Sequence, residues 1–236
     1  MTLRLIATGS TMAERRAERW GLSFLLGEDL LFDAFGKASV FLENMRAMRI
    51  DPARIRTVVL SHDDWDHVNG LWEILPGRRD MTVYICPRFS DEVKARIRSS
   101  GAAVIEAAGP LEIQKDVWTT GELPGSAPGR AIYEQSLVVR SGQGIAVITG
   151  CAHPGILSIA RRAADMFNEP PSLLVGGFHL RDASETQVRT IAHGLRSLGV
   201  RRVVPLHCTG ATASRILREA FPASPHTFLE KSSLEI

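Results

Sequence analysis

The 236-residue chain predicts an α/β fold in which two mixed sheets carry helices on their outer faces, an αββα sandwich. Three observations predict it. Paired apolar runs with hairpin spacing occur in both halves of the chain. Helical segments with one apolar face are interleaved with short β-branched runs. No shift in composition marks a second domain, so a single domain over residues 1–236 is expected. Periodicity alone leaves a doubly wound sheet as the alternative.

The elements follow in order. Leu3–Ala7 alternates as a strand, and Leu22–Leu26 and Leu30–Phe32 flank Gly27-Glu28-Asp29 as a hairpin. Val40, Phe41, Met45 and Met48 share one face of a helix over Ala38–Met48, which Pro52 stops. Ile55–Leu60 reads as a buried strand running into Ser61-His62-Asp63-Asp64-Trp65-Asp66-His67. A helix then extends through Leu75 to the breaker Pro76-Gly77. Met81–Cys86 is a strand, Ser90–Ser99 a helix capped by Ser90, and Ala102–Glu106 a strand. Gly109–Gly129, rich in Gly and Pro, is expected to be loop. Leu137–Arg140 and Ile145–Thr149 surround Ser141-Gly142-Gln143-Gly144 as a second hairpin. A helix over Ile156–Phe167 precedes Pro170-Pro171, and Leu173–Val175 is a strand ending in Gly176-Gly177. Ser184 with Gln187 forms a capping box opening a helix to Leu198. Arg202–Leu206 and Ala211–Ala220 are the last strand and helix.

Composition excludes several classes. Apolar residues are 44% and charged residues 23%, the balance of a globular chain able to bury a core and unlike a disordered one. A net charge of +2 gives no field to draw nucleic acid or a membrane surface. No apolar run approaches the roughly 20 residues of a membrane span, and the N-terminus lacks a secretory pattern. Three cysteines, Cys86, Cys151 and Cys208, none in CxxC spacing, suit a reducing, cytoplasmic setting. The expected partner is a small-molecule substrate.

The chemistry concentrates in His62-x-Asp64-x-Asp66-His67, four candidate ligands in six residues just past a strand. Imidazoles and carboxylates bind divalent cations, and a strand end holds the backbone still while side chains converge. A solvated acidic turn capping the next helix is the plainer alternative. His153, His179 and His207 each follow a strand too, so a shared site outweighs three separate structural roles. His193 within a helix and His226 in the tail read as structural or exposed. Cys86 reads as core, and Cys151 and Cys208 as small buried groups or thiolate ligands, with the buried role favoured for Cys208.

The His62–His67 run resembles the HxHxDH signature of the metallo-β-lactamase superfamily, whose fold is an αββα sandwich with a mono- or dinuclear metal site. Gly21-Leu22-Ser23-Phe24, Leu31-Phe32-Asp33, Gly70-Leu71, Thr120-Gly121-Glu122, Thr149-Gly150-Cys151-Ala152-His153-Pro154-Gly155, Gly176-Gly177-Phe178-His179-Leu180 and His207-Cys208-Thr209-Gly210 are similar to one branch. That branch resembles dihydropterin-6-ylmethyl-(ribofuranosyl)aminobenzene-phosphate synthase and includes metal-dependent hydrolases. Two positions depart from it: Asp64 stands where the superfamily has a second His, and Trp20 where the branch has a His before the Gly-Leu-Ser run.

The resemblance implies one or two divalent ions (Zn, Fe or Mn), with Asp64 favouring the harder Fe or Mn. It assigns His62, Asp64 and His153 to one ion and Asp66, His67 and His207 to the other. Cys151 is a possible additional ligand, and Asp33 orients a ligand without binding metal. Asp66 orients the nucleophile, and His179 contacts substrate or stabilises developing charge. The implied reaction is hydrolysis of an ester, lactone, amide or phosphoester. The alternatives are a pterin-pathway condensing synthase acting on a phosphorylated ribose, and a non-catalytic ligand-binding protein with a degenerate metal site. A redox di-iron role is a weaker fourth.

Overall fold

A computed structural model describes residues 1–224 and 228–236; His226 lies outside the described residues. The chain divides into two compact units, Met1–Ala108 with Leu229–Glu235, and Gly109–Phe228 with Ile236.

The first unit is a seven-stranded mixed sheet. Its strands are β1 (Thr2–Gly9), β2 (Gly21–Leu26), β3 (Leu30–Phe32), β4 (Thr57–Val59), β5 (Thr82–Ile85), β6 (Ala103–Glu106) and the late β15 (Ser233–Glu235), in the order β15-β1-β2-β3-β4-β5-β6. β2 and β3 form the expected hairpin, with Phe24 opposite Phe32 and Leu26 opposite Leu30. β3 through β6 then run parallel. Every residue of β2, β3 and β4 is buried, which is why they read as unbroken apolar runs. Helices α1 (Met12–Arg16), α2 (Ala38–Ala47), α3 (Trp65–Val68), α4 (Leu71–Ile74) and α5 (Asp91–Ser99) connect them. A bulge between Leu5 and Ala7 interrupts the β1–β2 ladder. The buried Asn44 of α2 donates from Nδ2 to the Ile6 carbonyl at 2.8 Å and so satisfies the group the bulge displaces.

The second unit holds β7 (Leu111–Gln114), β8 (Val117–Thr119), β9 (Leu123–Ala127), β10 (Arg130–Glu134), β11 (Leu137–Ser141), β12 (Gly144–Thr149), β13 (Pro171–Gly177) and β14 (Arg202–Leu206). Six of them form a mixed sheet in the order β14-β13-β12-β11-β8-β7, while β9 and β10 form a separate two-stranded sheet. Helices α6 (Ile156–Phe167), α7 (Glu185–Leu198) and α8 (Ala211–Ala220) share one core with it. Ile156, Ile159 and Ala163 of α6, Val188 and Leu195 of α7, and Ile216 and Leu217 of α8 gather with Val147, Leu174 and Val203 of the sheet. Each large apolar side chain so buried contributes about 1.5–3 kcal/mol. The Ser184–Gln187 capping box forms as expected, and Gly199 at φ 106° ends α7 in the left-handed conformation.

The expected loop Gly109–Gly129 instead contains β7, β8 and β9. Its prolines sit where strands tolerate them: Pro124 lies in β9, which pairs with β10 in a sheet of only two strands, so its missing N–H interrupts no inner ladder. Pro171, which reads as a helix stop, is the first residue of β13. The helix expected through Leu75 is two short helices, α3 and α4. Gly70 between them donates to the Phe35 carbonyl at 3.0 Å, and a Cβ there would lie 2.0 Å from the Ala34 carbonyl oxygen. Among the described residues, no helix is long and apolar enough to cross a membrane.

Candidate metal centre

In the first unit the His62–His67 run is assembled around a buried carboxylate. Asp33 follows β3 in a left-handed conformation, φ 55°, and is fully buried. Its Oδ1 accepts from the Ser61 amide at 2.7 Å, and its Oδ2 accepts from the Ser61 hydroxyl at 2.7 Å. The same Oδ2 meets His67 Nδ1 at 2.6 Å. Ser61 Oγ also lies 2.7 Å from His62 Nδ1. Both rings are therefore pinned through Nδ1, and their centroids stand 4.1 Å apart. Burial raises the Asp33 carboxyl pKa even though His67 and Ser61 pull it down. Burial opposes a charged His67, but the Asp33 and Asp66 carboxylates outweigh it and hold His67 well above the usual imidazole range.

The remaining nitrogens face carboxylates. His62 Nε2 is 3.6 Å from Asp64 Oδ2, and His67 Nε2 is 3.4 Å from Asp66 Oδ2. Two ligands each about 2.1 Å from a tetrahedral ion lie about 3.4 Å apart, so each pair has the spacing of neighbours in one coordination shell. An Nδ1 held by carboxylate or hydroxyl with Nε2 turned toward the ion is the usual outer arrangement of metal-binding histidines. The donor set in this unit fits a divalent cation. Asp64, the residue that departs from the superfamily pattern, sits at the N-cap of α3 with Oδ2 toward His62 Nε2. Trp20 is buried, and Arg15 lies over its ring at 5.7 Å, so that departure places an indole, which offers no metal-ligating lone pair.

The second unit repeats the device with different parts. Glu134, fully buried at the end of β10, accepts at Oε1 from the Cys151 and Ala152 amides at 2.9 and 2.8 Å. Its Oε2 accepts from the His153 amide at 2.8 Å and meets His153 Nδ1 at 2.8 Å. These bonds hold a turn in which Ala152 has φ 60°. His153, His179 and His207 follow β12, β13 and β14, neighbouring parallel strands, which brings all three to the carboxyl ends of one sheet. The His153 and His179 rings stand 4.5 Å apart. His179 and His207 have φ 51° and 49°, and left-handed backbone at non-glycine residues concentrates at functional sites.

Two cysteines join this group. Cys151 Sγ, Cys208 Sγ and a ring nitrogen of His179 lie within 4.8 Å of one another. Burial opposes ionisation of Cys208, but hydrogen bonding from Cys151 and the charges of His207 and His179 outweigh it, holding the thiol well below its usual range. A hydrogen bond with Cys208 correspondingly raises His179 against the effect of burial. Cys208 is therefore buried as expected, but as a polar partner. Cys86 is core, its Sγ 3.7 Å from the Ser61 carbonyl.

His62, Asp64, Asp66, His67 and Asp33 thus gather in the first unit, and Cys151, His153, His179 and His207 in the second. His193 stands exposed on α7. Sequence reasoning missed Glu134. Its only signal is the polar run Glu134-Gln135-Ser136 lying directly against the apolar strand β11 without a turn glycine.

Residues 29–208 match the family model described as Beta-lactamase superfamily domain. The chain is similar to the 7,8-dihydropterin-6-methyl-4-(beta-D-ribofuranosyl)-aminobenzene-5'-phosphate synthase of Methanocaldococcus jannaschii, 25% identical, covering 85% of this chain and 84% of that one. It is also similar to a solved metal-dependent hydrolase of the beta-lactamase superfamily, with TM-score 0.79 and 29% identity over 100% of this chain and 99% of that one. The metallo-beta-lactamase fold protein YhfI of Bacillus subtilis shares the fold, with TM-score 0.70 and 14% identity over 99% of each chain.

Proposed function

The chain belongs to the β-lactamase superfamily, and on that footing we propose that it is a metal-dependent hydrolase of a small-molecule ester, lactone, amide or phosphoester. The observation that carries this reading is the pair of His–carboxylate spacings in the first unit, 3.6 and 3.4 Å, each with its imidazole held from behind. In this reading the side chains that ligate divalent metal ions are His62, Asp64, Asp66 and His67 of the first unit and His153 and His207 of the second. When bound, such ions would lower the pKa of a water to near neutrality and polarise the oxygen of the scissile group.

The protein's own groups do the rest. Asp33 keeps the His67 proton on Nδ1 and leaves Nε2 as the donor, and Glu134 does the same for His153. Asp66 orients the attacking water and accepts its proton at the carboxylate. His179 is exposed, and in this reading its imidazole contacts substrate or stabilises negative charge developing on the substrate oxygen. The three cysteines, none in a disulfide, suit a reducing compartment.

Elemental analysis of the purified protein beside an Asp64→Ala variant tests the metal assignment. Near-stoichiometric Fe, Mn or Zn that falls in the variant is the expected result. Metal retained in full by the variant would remove Asp64 from the ligand set, and none in the wild-type protein after reconstitution would remove the hydrolase reading. Likeness to the synthase favours a second reading, condensation on a phosphorylated ribose. Turnover of generic phosphoesters or lactones separates the two, because a condensing synthase leaves them intact.

A further inference from the structure

The second unit carries a pair of thiols, Cys151 and Cys208, to which the hydrolase reading gives no step. Cys151 Sγ, Cys208 Sγ and a His179 ring nitrogen converge within 4.8 Å of one another, and both cysteines are buried and outside any disulfide. We propose that Cys151, His179 and Cys208 form a binding site for a thiophilic d10 cation such as Zn(II), Cd(II) or Cu(I), beside His153 and His207, each of which also has a ring nitrogen within 4.8 Å of Cys151 Sγ.

Three features support it. Two thiols and an imidazole are the soft donor set that selects such ions, whereas the His and carboxylate set of the first unit suits harder ones. Tetrahedral ligation with metal–sulfur bonds of 2.3 Å sets the sulfurs about 3.8 Å apart, so side-chain movement of about 1 Å closes the shell. The backbone is shaped around the sulfurs. A Cβ on Gly177 would lie 2.8 Å from Cys208 Sγ and 3.3 Å from the Cys151 Cα. Buried Thr149 ties the strand ends by donating to the Gly177 carbonyl at 2.8 Å. His179, held at φ 51°, supplies the third donor from the more exposed side and leaves a fourth position toward solvent. Filling the site engages the same imidazole that the hydrolase reading gives to substrate, so the cation inhibits turnover; that clause rests on the hydrolase reading, and the binding does not.

The test is titration of the purified, metal-loaded protein with Cd(II). Ultraviolet thiolate-to-metal charge transfer and the 113Cd chemical shift are read together. Expected is saturation at one ion per chain with a shift in the two-thiolate range. The signal should be lost in Cys151→Ser and in Cys208→Ser and retained in Cys86→Ser. His179→Ala, which opens no core position, should weaken binding at least tenfold. Absence of charge transfer in the wild-type protein overturns the proposal. So does a signal that disappears in Cys151→Ser but persists in Cys208→Ser, since that thiolate then belongs with the histidine and carboxylate ligands. Unchanged affinity in His179→Ala overturns it even if the serine variants fail to fold. Inhibition without charge transfer would count against this site while leaving the hydrolase reading standing.

Discussion

Asp33 in the first unit and Glu134 in the second each hold a histidine from behind, and they do so with different partners. Asp33 binds one backbone amide, one hydroxyl and one imidazole. Glu134 binds three consecutive backbone amides and one imidazole. Side chains can rotate, change tautomer or turn a hydroxyl; backbone amides can only donate. The first carboxylate is chiefly an orienter of ligands, whereas the second is also the glue of a strained turn. The same chemistry, a buried carboxylate behind a histidine, therefore has two different thermodynamic consequences.

The strongest way to break this comparison is to neutralise each carboxylate without changing its shape. In Glu134→Gln the new NH2 must face amide donors whichever way it is turned. Each opposed or orphaned donor costs about 1–3 kcal/mol, so a loss of about 3 kcal/mol or more is expected in urea denaturation of the metal-free protein. Asp33→Asn can still accept from the Ser61 amide and donate to the Ser61 hydroxyl, so its loss should be about 1–2 kcal/mol. It forces the His67 proton off Nδ1, however, and metal affinity by competition titration should fall about 10–100-fold. Equal stability losses in the two variants would end the distinction.

Next in size are two glycines, one in each unit. A Cβ on Gly21, φ +122°, would lie 1.9 Å from the Asp66 carbonyl oxygen; one on Gly176, φ +130°, would lie 2.1 Å from that of Thr149. Alanine at either should cost about 2–4 kcal/mol in thermal denaturation. Ser61→Ala removes a hydroxyl that bridges Asp33 and His62 and should lower stability by about 1 kcal/mol, with a measurable fall in metal content. Smallest is His193→Ala on the exposed face of α7. It should stay within about 0.5 kcal/mol of wild type with unchanged metal content, and a large change there would mean the site is drawn in the wrong place.

Much of this was legible in the residues. The ligand run showed itself because four donors in six positions after a strand have few other uses, and the helices because their apolar spacing is strong. Asp33 stood out only through its place in a motif. Glu134 gave no such signal, since its partners are backbone amides, which look alike at every position of a sequence. The strands within Gly109–Gly129 were hidden because Pro and Gly punctuate turns in most contexts, and only the pairing reveals that Pro124 occupies an edge. The Cys151–His179–Cys208 group joins residues far apart in sequence, so its proximity is a product of the parallel β12–β13–β14 arrangement and not of spacing.

The last strand has a consequence for biosynthesis. β15 pairs with β1 through Thr2–Glu235, Leu3–Leu234 and Arg4–Ser233, and Glu230 accepts from the Thr8 amide. The opposite side of β1 is taken by β2 as soon as both have been made. Its outer side must wait until the whole second unit has left the ribosome, on the order of ten seconds at cellular elongation rates. During that interval the nascent chain presents an unpaired, leucine-bearing edge to its neighbours on the polysome. Pairing of β15 therefore closes an edge that would otherwise stay open to a neighbouring chain.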